Sequence, residues 1–240
     1  MSTHETRLQG REAVARQTMA FHFDKPAGFS FKPGQAIDVV LLEAPGTDAQ
    51  SARHTFSIVS APFENALIVA TRMRDTAFKR ALGALPIGAG IAIEGPFGSL
   101  TLHNDRARPA VFIAGGIGIT PFMSIVRQAV HDGLPQRLGL LYSNRRPEDA
   151  AYLAELQELE RHNPNVRLTA TMTLMGDSSQ AWSGPRGQID EAFLQRAAAD
   201  LAQPVYYVAG PPGMVEAMRQ TLNDTGVNDD DIRSEEFYGY

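Results

Sequence analysis

Ile113-Ala114-Gly115-Gly116-Ile117-Gly118-Ile119-Thr120-Pro121-Phe122-Met123-Ser124-Ile125-Val126 is the stretch that decides the fold. The run Ala110-Val111-Phe112-Ile113 is short and apolar, as a buried strand requires, while Phe122, Ile125, Val126, Ala129 and Val130 fall on one helical face. A glycine-rich turn therefore joins a strand to a helix. Thr120 suits the N-cap, Pro121 the first helical position, and Gly133 the stop. Glycines here let a ligand approach the backbone, and free N–H groups at the helix start favour a phosphate. Gly115, Gly116, Gly118, Thr120 and Pro121 are accordingly candidates for holding a dinucleotide. The last glycine of the usual G-x-G-x-x-G pattern is replaced by Pro121, so the rest of the chain has to carry the assignment.

The 240 residues are 43% hydrophobic and 20% charged, the balance of a soluble globular protein with room for one large or two modest domains. A net charge of −5 without basic runs gives no electrostatic footprint for nucleic acid or anionic lipid. Cysteine is absent, which excludes disulfides, thiolate zinc and cysteine-ligated iron–sulfur clusters within these residues. His4, His22, His54, His103, His131 and His162 never recur at a spacing of three or four, so no metal site is expected. No apolar signal core or 18-residue apolar segment occurs, and the expected setting is the cytoplasm, without membrane insertion.

Outward from the glycine turn the chain changes rhythm. Before it the pattern has period two: Met19, Phe21 and Phe23, then Ile37, Val39 and Leu41, then Leu67, Val69 and Thr71, then Ile91 and Ile93. Turns at 32–35, 44–46 and 87–90 separate these runs, and Phe78, Ala81, Leu82 and Leu85 mark one short helix from Thr76. This predicts an antiparallel barrel or sandwich over residues 1–104. From 108 to 240 strands and helices alternate: strands at Leu138–Tyr142, Val166–Met172 and Val205–Val208, helices at Pro147–Arg161, Asp190–Ala199 and Pro212–Leu222. Alternation of this kind predicts a parallel sheet covered by helices. The 173–187 loop, which bears Trp182, is longer than an ordinary connection; it either serves the site or is an insertion, and the tryptophan could pin it to the core.

Four further stretches align with the first: Arg53-His54-Thr55-Phe56-Ser57, Glu94-Gly95-Pro96-Phe97-Gly98, Val208-Ala209-Gly210-Pro211-Pro212-Gly213-Met214 and Glu235-Glu236-Phe237-Tyr238-Gly239-Tyr240. In this order and spacing they resemble the ferredoxin–NADP⁺ reductase family over nearly the whole chain. The resemblance implies a two-domain β plus α/β fold, an antiparallel flavin-binding barrel followed by a parallel-sheet domain for the nicotinamide nucleotide. The family's R-x-Y-S falls on His54-Thr55-Phe56-Ser57, where the ring would stack on the isoalloxazine and the Ser57 hydroxyl would face flavin N5. This chain departs from the family in having His54 for Arg and Phe56 for Tyr, and either Arg53 or His54 would meet the FAD pyrophosphate. Thr76, at a helix start, would take FAD phosphates, with Thr71 nearby on the preceding strand.

In the second domain the resemblance places the nucleotide pyrophosphate at 116–120. The family's C-G-P-x-x-M reads Ala209-Gly210-Pro211-Pro212-Gly213-Met214, with Gly210, Pro211 and Met214 kept and the cysteine lost. Ser143, Arg145 and Arg146 stand where the adenosine ribose lies and lean toward a 2′-phosphate, though Glu148 and Asp149 follow at once, so NADPH and NADH both remain open. Phe237 is the expected ring over the flavin face, with Tyr240 as the other candidate. The implied activity is an FAD-dependent oxidoreductase that takes a hydride from NAD(P)H, with Ser57 and Phe237 at the reacting centre. Lacking an iron–sulfur domain, such a protein is expected to be a monomer that passes electrons to an external ferredoxin, flavodoxin or small-molecule acceptor. A flavin or ferric reductase, and a nucleotide-binding subunit or sensor with little turnover, share this architecture.

Overall fold

A computed structural model describes residues 2–42 and 52–238; the expected turn at 44–46 and Tyr240 lie outside them. Two compact units are present, one of Met1–Thr101 with Thr120–Gln128, the other of Leu102–Ile119 with Ala129–Tyr240.

Among the described residues the first unit holds six strands, β1 (Ser2–Ala15), β2 (Thr18–Asp24), β3 (Ala36–Leu41), β4 (Arg53–Ser57), β5 (Ala66–Arg72) and β6 (Gly90–Phe97), and the helix α1 (Ala77–Ala84). They pair in the order β4-β3-β6-β1-β2-β5, all antiparallel. The sheet closes on itself through the Ile58–Val69 bridge and the bond from Val59 N to Ile68 O, 2.8 Å. Closure turns alternate residues inward, and Phe21, Phe23, Ile37, Val39, Leu67, Val69, Ile91 and Ile93 fill the core. These are the period-two residues of the sequence. β1 is the strand that periodicity missed. It pairs with β6 through Ser2–Arg7 and with β2 through Leu8–Ala15, and only Thr6 and Leu8 along it are buried, so it carries almost no hydrophobic alternation.

The second unit is a five-stranded parallel sheet of β7 (Ala110–Gly115), β8 (Leu138–Asn144), β9 (Val166–Met172), β10 (Val205–Gly210) and β11 (Ile232–Glu236), in the order β11-β10-β7-β8-β9. Its helices include α3 (Leu153–His162), α4 (Glu191–Ala198) and α5 (Pro212–Asp224). Asp190 caps α4, its side chain accepting from Phe193 N at 2.7 Å. Every residue of β7 and of β10 is buried, as expected of central strands covered on both faces.

α2 (Thr120–His131) crosses from one unit's residues to the other's. A 3₁₀ turn, Gly116–Ile119, precedes it, so Thr120 is already helical instead of sitting outside as a cap. Phe122, Met123, Ser124, Ile125 and Val126 are all buried, not one face of them, as in a helix enclosed all round. Within the first unit Ser124 Oγ donates to Ser60 O at 2.7 Å and Arg127 Nη1 to Val59 O at 3.3 Å. Gly133 ends the helix at φ +60.

The helix expected over Pro147–Arg161 is broken. A 3₁₀ turn spans Pro147–Asp149, Tyr152 stands at φ 60, and α3 begins only at Leu153. The buried Tyr142 hydroxyl donates to Ala151 O at 3.1 Å, which fixes that peptide outside a helical ladder. Periodicity cannot register a tertiary bond of this kind.

Candidate functional site

In the first unit β4 divides its side chains between two faces. Arg53 and Thr55 are exposed on one. There Arg53 Nη2 lies 2.6 Å from Glu94 Oε1 and Nη1 3.4 Å from Asp38 Oδ2, while Thr55 donates to Asp38. On the other, the His54 ring stacks on Phe56 with centroids 4.7 Å apart at 17°, and Phe78 touches both rings at 5.4 and 5.9 Å. Phe78 belongs to the first turn of α1, whose N-cap Thr76 accepts from Lys79 N at 3.3 Å. His54, Phe56, Phe78 and Thr76 are thus assembled, and Arg53 stands apart with two carboxylates.

Phe56 is itself 3% exposed, with His54 as its outer cover. Burial holds the His54 imidazole below its ordinary value, opposed by the bond to Thr55 O and reinforced by the charge of Lys79, so the ring is neutral at pH 7 with Nδ1–H donating. Lys79, a buried residue of α1, is pushed down to about 8 by desolvation and by Arg74. Sequence reasoning overlooked Lys79, because a lysine on a short helix ordinarily reads as a solvated face. Ser57 is buried at the end of β4, and Thr71 is fully buried, its hydroxyl 3.5 Å from Arg72 O.

In the second unit the strand order reverses between β7 and β10, and both of these strands end in a glycine turn. Ligands of open parallel sheets bind outside the carboxyl ends of the strands at such a switch point. The glycines there do different things. A Cβ on Gly118 would lie 2.2 Å from Ala209 O, and one on Gly115 would lie 2.2 Å from Met214 Sδ and 3.1 Å from Pro211 Cδ. Gly210, at φ +158, packs on Gly115 backbone. Gly116, at φ +54, has open space where its Cβ would point, which leaves room for a ligand against its backbone. Gly115, Gly118, Gly210, Pro211 and Met214 therefore hold the two turns together and Gly116 faces outward. Thr120 and Pro121 are buried at the helix start. Phe237, half-buried, continues the ladder by donating its N–H to Gly210 O at 2.9 Å; Tyr238 is 69% exposed.

Beyond β8, Ser143 is half-buried and Arg145 exposed, whereas Arg146 reaches Asp177 Oδ2 at 3.2 Å. The long loop is strapped onto this turn. Thr173 N donates to Asn144 O and Leu174 N to Arg145 O, at 2.9 and 2.8 Å. Ser179 N and Ser178 Oγ both donate to the Glu148 carboxylate, at 3.0 and 2.8 Å, and hold it down to about 2. Trp182 does not pin the loop to the core: its indole donates to Pro185 O at 2.8 Å and its ring crowds Gly184. Asp177, Ser178 and Ser179 escaped the sequence reading because polar loop residues show their partners only when folded.

Because the folded carboxylate is the more acidic one, its contribution is complete above pH 4.5 and is lost as pH falls through about 2. Glu148→Gln, which cannot accept two charge-assisted bonds, is expected to free the loop at neutral pH. Trypsin should then cut at the exposed Arg186 several-fold faster, with little change in melting temperature. Equal cleavage of parent and variant would show that the strap does not depend on Glu148.

A glycine-lined switch point in the parallel sheet of one unit, with an antiparallel barrel bearing an aromatic strand face and a capped helix start as the other, defines a class: dinucleotide-binding oxidoreductases of two units. An oxidoreductase NAD-binding domain matches residues 112–220. Ferredoxin–NADP reductase B of Sorangium cellulosum is 30% identical, covering 90% of this chain and 89% of that protein. The chain belongs to the ferredoxin–NADP⁺ reductase family. A glycine betaine monooxygenase reductase subunit of Chromohalobacter salexigens is 27% identical over 92% of this chain, which spans 60% of that relative's length. The fold matches that of a ferredoxin NADP⁺ reductase from Neisseria gonorrhoeae with bound FAD and NADP, at a TM-score of 0.80, 22% identity and 98% coverage of each chain. Among the described residues no helix is long and apolar enough to cross a membrane.

Proposed function

We propose that this chain is a cytoplasmic, monomeric FAD-dependent oxidoreductase that oxidises NAD(P)H and hands electrons to an external acceptor. The observation that carries the reading is the paired glycine turn at the β7/β10 switch point, where Gly116 leaves backbone open to a phosphate. The barrel fits the second group: the α1 start offers Thr76 and amides for a pyrophosphate, and the His54–Phe56–Phe78 surface offers rings for a flat heterocycle. When bound, the flavin and nicotinamide supply the hydride chemistry themselves.

The protein groups then position and tune. His54, neutral and stacked, would supply an aromatic face without charge, Thr76 and the α1 amides would supply phosphate donors, and Ser57 would supply a hydroxyl to the flavin. Gly116, Thr120 and Pro121 line the approach of the nicotinamide nucleotide. Phe237, clipped by its backbone to Gly210, would be the ring that yields to the nicotinamide. Phe237→Ala is accordingly expected to bind NAD(P)⁺ more tightly and to show an altered charge-transfer band with little change in melting temperature. A destabilised variant with unchanged nucleotide affinity would assign the ring to packing.

The acceptor follows the relatives in kind. The names of the relatives each carry a protein, a ferredoxin in ferredoxin–NADP reductase B and a monooxygenase in the glycine betaine and propane reductase components, and a ferredoxin or an oxygenase component is the partner proposed here. These 240 residues hold no cysteine and so supply no thiolate-ligated cluster of their own. The test is anaerobic titration of the FAD-loaded chain with NADH and NADPH, followed by ferredoxin, free flavin or ferric chelate. Bleaching by nucleotide and reoxidation by ferredoxin are expected. Reoxidation only by the small acceptors would make it a flavin or ferric reductase, and no bleaching at all would sink the enzyme reading.

A further inference from the structure

We propose that Asp177 determines which pyridine nucleotide the chain accepts, by occupying the Arg146 guanidinium so that a ribose 2′-phosphate cannot, which leaves a site for NAD(H). This rests on reading the β7/β10 crevice and the neighbouring β8 turn as the nucleotide site. At the end of the second strand of such a domain, a free arginine accommodates a 2′-phosphate and an acidic group accepts from a 2′-hydroxyl. The sequence Ser143-Asn144-Arg145-Arg146 therefore looks like a phosphate subsite, and the folded chain alters it.

Arg146 has a side chain only 11% exposed, its Nη2 is 3.2 Å from Asp177 Oδ2, and its buried Nε has no hydrogen-bond partner. The fork that would take two phosphate oxygens is thus turned to one carboxylate through Nη2, while the buried Nε goes without a partner. Asp177 is not a passing surface residue. Its neighbours Ser178 and Ser179 are clipped to Glu148, and Leu174 N to Arg145 O, so the strap delivers the carboxylate to this arginine. Glu148 adds a second negative charge two residues from Arg146. A dianionic 2′-phosphate entering here would have to displace Asp177 and face Glu148, whereas a neutral 2′-hydroxyl meets neither obstacle. The one remaining cation of the turn, Arg145, is exposed, where screening leaves it little power to select.

The experiment uses the FAD-loaded full chain and two probes, 5′-AMP and adenosine 2′,5′-bisphosphate, with affinities measured by calorimetry at low salt. The parent is expected to bind AMP at least as tightly as the bisphosphate. Asp177→Asn, nearly isosteric at a position 82% exposed, should raise bisphosphate affinity about fivefold or more and leave AMP unchanged, since one carboxylate is exchanged for a phosphate on the same fork. Arg146→Gln added to Asp177→Asn should erase the gain, and 0.5 M salt should shrink it. If AMP binds and Asp177→Asn leaves the ratio of the two probes as in the parent, the proposal is overturned while the nucleotide site stands. If neither probe nor NADH binds the parent, the site itself is wrong and the proposal falls with it.

Discussion

Gly118→Ala is expected to abolish pyridine-nucleotide binding while the chain still takes up FAD. The added Cβ would lie 2.2 Å from Ala209 O, 2.5 Å from Ala209 C and 2.8 Å from Gly210 Cα, all backbone atoms of a strand end. That backbone cannot withdraw, because β10 is held by parallel ladders to β7 on one side and β11 on the other. Overpacking of this kind costs typically 1–3 kcal/mol, and a clash with fixed backbone belongs at or above about 3 kcal/mol. For a chain of this size that is a fall of roughly 6–12 °C in melting temperature. Gly115→Ala meets a different neighbour, the thioether of Met214, with Pro211 Cδ behind it at 3.1 Å. Methionine is flexible, so Met214→Ala in the same chain should recover part of the lost stability and nucleotide affinity. The same second change should do nothing for Gly118→Ala. Calorimetric titration with NADH and NADPH, beside thermal melts, reads both quantities. Equal rescue at the two positions would mean that side-chain crowding, not backbone contact, controls the turn.

The second large effect is expected at Phe56. Its ring is 3% exposed, within the barrel core and against both His54 and Phe78. Truncation to alanine removes a buried aromatic and leaves a cavity, at a cost of about 3–5 kcal/mol, so Phe56→Ala should melt on the order of 10 °C lower. It should also lose FAD, because the His54 ring would have no floor to stack on. Packing alone would produce the first result, so Phe56→Leu is the informative companion. Leucine keeps most of the apolar volume and costs less, but offers no ring. A folded Phe56→Leu with FAD affinity reduced tenfold or more is expected. Parental FAD affinity in that variant would confine Phe56 to the core and leave His54 as the only ring that matters.

How much was legible in advance differs between the two units for physical reasons. The parallel unit announced itself, because a buried strand, a glycine turn and an amphipathic helix are all local patterns, repeated along the chain from Ala110 onward. The barrel strands with an inward hydrophobic every second residue were equally plain. β1 was not, since a strand that sits between two neighbours and exposes most of its side chains has no hydrophobic period to read. The break at Tyr152 was hidden for a related reason, as its cause is a hydroxyl on another strand.

At the site, the sequence by itself determined which residue types were at hand: glycines at two strand ends, an aromatic and hydroxyls on β4, a helix start at Thr76, two arginines after β8. Those follow from local backbone geometry and the chemistry of each side chain. Only the tertiary structure decided what each one faces. Strand alternation and the pairing of β4 with β3, which itself pairs with β6, sent Arg53 to Asp38 and Glu94 and left His54 with Phe56, although the two are adjacent in the chain. A loop about thirty residues downstream brought Asp177 to Arg146, turning a cation that reads as a phosphate ligand into half of an ion pair. Charge and hydrogen-bonding capacity are properties of a residue, but whether they remain available to a ligand depends on neighbours that folding supplies.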